Sequence, residues 1–287
     1  MMNKGVKQDS QKKRTIIQLI VLALTNGYIQ GFTSGKIYAG PSKFICVPGL
    51  NCYSCPGAFG SCPIGAIQAV LGSRNYSFSY YVLGIAIFFG VLLGRVVCGF
   101  LCPFGFFQDL LHKIKVKKYK VPLKFDRGLR KLKYLLGIFV VVLASIFITN
   151  KYGIAVPYFC KYFCPVGGLE GGIPLVSTNA QLQAQVSWLF GWKMFTLLVV
   201  IVASMFIYRP FCKYICPLGA FYGLFNKISF YQMNLDEKKC IGCNKCVIVC
   251  PMDVAVRKNI NSAECIRCGK CKDVCPTDAI SSGFKLK

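Results

Sequence analysis

Two seventeen-residue segments of this 287-residue chain nearly repeat each other: CGFLCPFGFFQDLLHKI from Cys98 and CKYICPLGAFYGLFNKI from Cys212. Each follows an apolar run, opens with Cys-x-x-x-Cys-Pro, carries a glycine two residues later and ends in Lys-Ile. Such agreement calls for a fold in which both halves build equivalent pieces. A second pair, SCPIGAIQ from Ser61 and FCPVGGLE from Phe163, alternates with the first. The chain therefore reads as a duplicated two-helix unit that runs out, turns at a Cys-Pro loop, returns and ends in Cys-x-x-x-Cys-Pro. Two such units pack about a pseudo-twofold axis, which sets Cys98 and Cys102 opposite Cys212 and Cys216 as four ligands of one metal or cluster site.

Proline after the second cysteine disfavours helix at that cysteine and suits the first position of a new helix. The cysteine then sits at a helix N-terminus, where free amides and the dipole favour a thiolate. Beyond it, Phe107, Leu110, Leu111 and Ile114, like Phe221, Leu224, Phe225 and Ile228, recur at helical spacing and predict short helices lying along a membrane surface.

The composition supports a membrane setting, with 54% hydrophobic and 16% charged residues and a mean hydropathy of +0.50. Four stretches lack Lys, Arg, Asp and Glu: Thr15 to Gly35, Asn75 to Gly94, Tyr134 to Asn150 and Met194 to Tyr208. A spanning helix needs about 20 apolar residues, and Lys133, Lys151, Lys193 and Arg209 can snorkel from the shorter ones. Gln18, Asn26 and Gln30 interrupt the first stretch and should face a bundle interior. A basic segment precedes it as in a signal peptide, but no small-residue cleavage site stands out, so it is expected to be retained.

Lys and Arg crowd one side of these stretches, from Lys4 to Arg14, from Arg95 to Lys133, and at Arg209, Lys213 and Lys227. The other side holds only Lys36, Lys43, Arg74, Lys151, Lys161 and Lys193. This distribution predicts a multi-pass protein of the cytoplasmic membrane with both termini cytoplasmic. It also accounts for most of the net charge of +25, so nucleic acid is not an expected partner; the lipid bilayer is.

From Asp236 the chain turns polar and carries CIGCNKCVIVCP and CIRCGKCKDVCP. These are two complete C-x2-C-x2-C-x3-C-P runs, the spacing that holds two [4Fe-4S] clusters with the fourth cysteine of each run serving the other cluster. One set is Cys240, Cys243, Cys246 and Cys275; the other is Cys265, Cys268, Cys271 and Cys250. Zinc is the competing occupant, disfavoured by two tandem copies each ending in Cys-Pro. The expected fold is thus an all-α membrane domain of four transmembrane helices over residues 1–235, followed by a small α+β ferredoxin-like module of the bacterial two-cluster type over 236–287. Ten Lys or Arg against six Asp or Glu in that module favour docking of an acidic soluble carrier such as a ferredoxin or flavodoxin.

Ten of the eighteen cysteines remain. Cys98, Cys102, Cys212 and Cys216 fall on the cytoplasmic side and form the candidate inner site. Cys46, Cys52, Cys55, Cys62, Cys160 and Cys164 fall outside, where Cys46 or Cys52 could instead form a disulfide. Cys52, Cys55, Cys62, Cys160 and Cys164 offer one ligand more than a cluster needs. One or two further [4Fe-4S] clusters would fit these sets; buried thiols without metal are the alternative.

With CGFLCP, CKYICP and the two ferredoxin runs in view, the chain resembles the NapH/NosR-type membrane polyferredoxins over most of Arg14 to Lys287. The resemblance implies electron transfer at the membrane, often by quinol oxidation, within a larger oxidoreductase that supplies partner subunits. A quinone and a quinol dehydrogenase-type role follow from the resemblance alone. A flavin-binding domain ahead of the first apolar stretch, as in NosR-like chains, is not expected, and the third motif, CKYFCP at Cys160, exceeds the simpler NapH pattern.

The single histidine, His112, rules out a bis-His haem. His112 and Asp109, three apart on one predicted helix, are candidates for handling protons at a quinone, as is Glu170 outside; each is equally readable as a polar surface or loop residue. No nucleotide-binding glycine motif is present. Two other functions use the same cysteines: copper handling or assembly of a respiratory enzyme, and a transmembrane thiol relay.

Overall fold

The computed structural model describes residues 4–72, 80–148 and 156–284. The ends of two expected spans, at Asn75 and Asn150, and the outer-side Arg74 and Lys151, lie outside these residues.

The chain is mostly helical. Long helices cover Lys4–Thr25, Tyr80–Leu93 and Trp188–Phe206, and one continuous helical run extends from Leu123 to Phe147 with its middle, Leu136–Leu143, wound as π-helix. Among the described residues, only Trp188–Phe206 is long and apolar enough to cross a membrane; Tyr80–Leu93 is a shorter apolar helix. The expected first span, Thr15 to Gly35, is not one helix. It stops at Thr25 and resumes as the short helix Ile29–Ser34. A side chain at Gly27 would come within 2.6 Å of the Ala23 carbonyl oxygen, so the turn there is closed to larger residues. Gln18 is buried as expected, whereas Gln30 is exposed. All four long helical runs bare apolar side chains, among them Ile20 and Leu24, Ile87 and Phe88, Ile138 and Phe139, and Phe195 and Leu198.

Three of the Cys-Pro pairs start short helices: Pro63–Leu71, Pro103–His112 and Pro217–Phe225. The cysteine before each is extended, with φ −98° and ψ 112° at Cys102 and φ −69° and ψ 112° at Cys216. Proline's clash with helical geometry at the preceding residue produces this conformation. Leu110, Ile114, Leu224 and Ile228 are exposed on these helices and just beyond them.

The last module is closed by a two-stranded antiparallel sheet, β1 Tyr231–Leu235 against β2 Ile280–Phe284, with Tyr231 opposite Phe284 and Leu235 opposite Ile280. Its first strand begins ahead of the polar segment that opens at Asp236. The module is bolted to the helices rather than tethered. Ile266, Met252 and Val254 share one core with Val97, Phe104, Phe211 and Tyr222. Asn226 Nδ2 donates to the carbonyls of Ser262 and Cys265 at 2.8 Å each. Arg267 donates to the carbonyls of Leu93 and Asn226 at 3.0 and 2.5 Å.

Candidate metal centres

In the ferredoxin-like module the two runs have the same backbone signature. Gly242 and Arg267, Asn244 and Gly269, and Asp253 and Asp278 occupy equivalent places and all have positive φ, between 47° and 82°. Left-handed residues at these spacings curl three cysteines around a common centre. Cys240, Cys243, Cys246 and Cys275 together line one small cavity. Cys271 interacts electrostatically with Cys268, Cys265 and Cys250. The fourth cysteine of each run thus stands with the other run's three. Cys243 is exposed, while Cys265, Cys268 and Cys250 pack against the helical core.

The two halves of the long repeat meet. Cys102 interacts with Cys212 and Cys98, and Cys216 with Cys212, Cys98 and Cys102. Burial first, and then these neighbours, push the Cys102 and Cys216 thiols far above their ordinary range; only a bound cation would make thiolates of them here. The amides of Gly105 and Gly219 lie 3.4 Å from the sulfurs of Cys102 and Cys216, each at the N-terminus that its Cys-Pro opens.

Charge around this quartet is arranged by the same symmetry. Arg95 and Arg209 stand three residues before the first cysteine of each copy, are 0% exposed, and reach across to the other copy's backbone. Arg95 also pairs with Glu264 at 3.0 Å, and Lys133 meets the same carboxylate at 2.6 Å. Arg209 pairs with Asp109 at 2.5 Å, and Arg14 binds the same carboxylate. Four buried or nearly buried cations against two carboxylates leave an excess of two positive charges.

On the other side, Cys164 interacts with Cys160, Cys62 and Cys52, and Cys160 with Cys62 and Cys52. Burial pushes Cys62 and Cys160 up to about 12. Cys55 is influenced by Cys52, leans on Asn26, 3.5 Å away, and does not line the cavity that the other four share; Cys46 is near Cys62 and bridges to Ser61. No disulfide joins Cys46 or Cys52. Of the five outer candidates, the fold gathers Cys52, Cys62, Cys160 and Cys164 and leaves Cys55 at the edge. The Cys-Pro pairs at Cys62, Cys102, Cys164 and Cys216 are each followed by one residue and then glycine: Gly65, Gly105, Gly167 and Gly219. A Cβ on Gly65 would lie 3.9 Å from the Cys160 sulfur, and one on Gly167 would lie 3.7 Å from that of Cys52, so glycine keeps the space between facing thiols open. Among the described residues, no three His, Cys, Asp or Glu side chains converge to hold a single metal ion.

The four groups are contiguous. A Cβ on Gly99 would come within 2.4 Å of the Ile266 carbonyl oxygen, so the module's second cysteine run rests directly on the inner motif. The outer loop dips inward: a Cβ on Gly49 would sit 3.0 Å from Cys102 Cα. Tyr222, 0% exposed, donates to the Pro48 carbonyl at 3.0 Å and lies among Cys98, Cys102, Cys46 and Cys62. Inner and outer cysteines are therefore not held a membrane's thickness apart.

A cavity of about 1370 Å³ opens on the outer group, lined by all four of its cysteines and by Lys43, Lys193, Tyr81 and Phe190 among others. Glu170 accepts from the Cys52 amide at 2.8 Å; burial raises its carboxyl to about 7 against that hydrogen bond. His112 Nδ1 lies 3.2 Å from the Ser204 carbonyl oxygen. Burial works against ionisation of Asp109, but Arg209 and Arg14 outweigh it and hold the carboxyl well below its usual range. Asp109 is thus an ion-pair partner of two arginines. Reasoning from cysteines alone passes over Arg95, Arg209, Gln68, Gln108 and Tyr222. The signal was there for the arginines, since R-x-x-C-x-x-x-C-P recurs at Arg95 and Arg209.

Comparison with known proteins finds iron–sulfur relatives. The family model of a 4Fe-4S binding domain matches twice, over residues 75–122 and 187–233, and a 4Fe-4S dicluster domain matches 232–276. The uncharacterized protein MJ0750 of Methanocaldococcus jannaschii is 31% identical over 80% of this chain and 89% of its own length. The putative electron transport protein YccM of Escherichia coli is 27% identical over 58% of this chain and 44% of its own. The ferredoxin-type protein NapH of Haemophilus influenzae is 28% identical over 63% and 57%. No solved structure matches. With both halves of the repeat and the dicluster segment each matched to iron–sulfur domains, and a relative aligned over nearly its full length, the chain belongs to the NapH/NosR-type membrane polyferredoxins, iron–sulfur electron-transfer proteins.

Proposed function

We propose that the protein carries single electrons through the cytoplasmic membrane along four [4Fe-4S] sites, between a cytoplasmic carrier and a quinone or other acceptor at the outer cavity, as one subunit of a larger oxidoreductase. Cys240, Cys243, Cys246 and Cys275 hold the first cluster and Cys265, Cys268, Cys271 and Cys250 the second. Cys98, Cys102, Cys212 and Cys216 hold the third, and Cys52, Cys62, Cys160 and Cys164 the fourth. A [4Fe-4S] cluster supplies a one-electron centre whose potential follows its charge, its hydrogen bonds to sulfur and its exposure.

The observation that carries this reading is contiguity: Gly99 against Ile266, then Gly49 against Cys102. The residues fit the group. An excess of two buried positive charges suits a centre whose four thiolates outweigh its core, and Gly65 and Gly167 stand between the facing outer thiols. The exposed Cys243 end suits a soluble carrier, and the large, mostly apolar outer cavity beside Lys193 suits a quinone. The apolar side chains bared on all four long helical runs support a multi-pass protein, and the Lys and Arg bias supports the ferredoxin-like module on the cytoplasmic side.

Iron analysis of anaerobically purified protein tests the count. Four sites give about 16 Fe per chain, three about 12, and the C-terminal module alone about 8. Cys98→Ser and Cys216→Ser should cost equal iron, because the halves share one site. A wild-type value near 8, unchanged by either substitution, would redirect the function to copper handling or thiol relay.

A further inference from the structure

Six residues past the cysteine of a Cys-Pro pair, the first half of the chain places glutamine twice, Gln68 after Cys62 and Gln108 after Cys102. Both reach into the other half and find the same atom type. Gln68 Nε2 donates to the Cys160 sulfur at 3.3 Å, and Gln108 Nε2 donates to the Cys212 sulfur at 3.1 Å. Each target is the first cysteine of a C-x-x-x-C-P motif. At the corresponding positions of the second half stand Glu170, which accepts from the Cys52 amide, and Tyr222, which donates to the Pro48 carbonyl; neither donates to sulfur.

The amide orientations follow from their surroundings. Gln68 Oε1 accepts from the Phe159 amide at 3.1 Å, leaving its NH2 for sulfur. Gln108 is 0% exposed, and its Nε2 also faces the Phe104 carbonyl at 3.4 Å. Turning the amide over would set a carbonyl oxygen against both that oxygen and the sulfur.

We propose that Gln68 and Gln108 are positioning residues that set the reduction potentials of the outer and inner sites, one N–H···S bond to each; the inference rests on the reading that these two quartets hold clusters. A buried centre resists the added negative charge of reduction because water is excluded. A donor fixed on a ligand sulfur stabilises the reduced form more than the oxidised one, because the sulfur is more negative in it. The two glutamines therefore offset, site by site, the penalty that burial imposes.

The test is an anaerobic redox titration of the full-length protein, followed by electron paramagnetic resonance, with iron per chain measured alongside. Gln108→Leu removes the donor; Gln108→Glu keeps the volume and replaces NH2 by oxygen, so it serves if the leucine variant does not fold. At a fixed poise, the reduced-to-oxidised ratio of one signal should fall roughly five- to tenfold, the effect of losing one such hydrogen bond. Iron should stay at the wild-type value and the other signals should not move. The Gln68 variants should shift a different signal. Full iron with every midpoint unchanged in both variants overturns the inference while leaving the clusters in place. A wild-type count of about 8 Fe overturns the cluster reading and the inference with it.

Discussion

Arg209 Nη1 donates to the Cys98 carbonyl oxygen at 2.5 Å, and Arg95 Nη2 returns the bond to the Cys212 carbonyl at 3.3 Å. Each half of the repeat thus clamps the other's first cysteine through a fully buried guanidinium. A clamp of this kind makes the inner site a joint product of both halves, so damage to either arginine should be felt by all four cysteines.

Replacing Arg95 with Met should leave the Glu264 carboxylate with Lys133 alone, in a site from which water is largely excluded. Breaking a buried pair on one side costs about 3–5 kcal/mol. The expected result is a lower unfolding midpoint in detergent and loss of the inner iron, with partial recovery in the double variant Arg95→Met/Glu264→Gln. A variant with unchanged midpoint and iron would show that the clamp carries no weight.

The outer site should discriminate between two neighbouring cysteines. Cys164, surrounded by Cys160, Cys62 and Cys52, should be indispensable, so that Cys164→Ser loses about 4 Fe per chain. Cys55→Ser should retain them. Equal loss from both, measured by iron analysis, would mean that the fifth cysteine is a ligand after all.

Gly99→Ala places a methyl group 2.4 Å from the Ile266 carbonyl oxygen. Backbone must move to admit it, at a cost of roughly 1–3 kcal/mol. Hydrogen exchange should accelerate in residues 262–271, and electron transfer from module to membrane domain should slow. Gly128→Ala is the control: nothing lies within 4 Å of the added atom, and alanine inside a helix should stabilise by up to about 1 kcal/mol. Slowed transfer in the control as well would remove the contact from the argument.

Lys238, Lys239, Arg257 and Lys258 are exposed on the ferredoxin-like module, with Ile241 and Ile248 bare beside exposed Cys243. Reversing Lys238, Arg257 and Lys258 to Glu should slow electron exchange with an acidic ferredoxin or flavodoxin by about tenfold or more, and raised salt should slow the wild type similarly. Stopped-flow rates insensitive to both would reduce this face to a solubilising one. Lys270 is not part of it, since its ammonium lies 5.4 Å from the Tyr208 ring centre, where the module meets the helices.

The cysteine spacings, the duplication and the helix starts were all legible in the chain, because each is a property of a few contiguous residues. At Cys62, Cys102 and Cys216 the following proline extends the cysteine and opens a helix; three closely spaced cysteines with left-handed residues between them curl on themselves. The crossing of Cys250 and Cys275 between the two runs follows from the same short-range geometry. The meeting of Cys98 and Cys102 with Cys212 and Cys216 was legible too, but only because the repeat implies it. Elsewhere legibility ended where the partners are distant in sequence: Cys62 meets Cys160 and Cys164 only through the packing of whole helices. That packing, not spacing, selected Cys52 over Cys55, sank Gly49 onto Cys102, and brought Arg95 to Glu264. It also divided the first apolar stretch at Thr25, where local hydropathy had suggested a single span. A contact across some hundred residues is decided by shape and charge complementarity between surfaces that form only on folding, and no local pattern in the sequence carries that information.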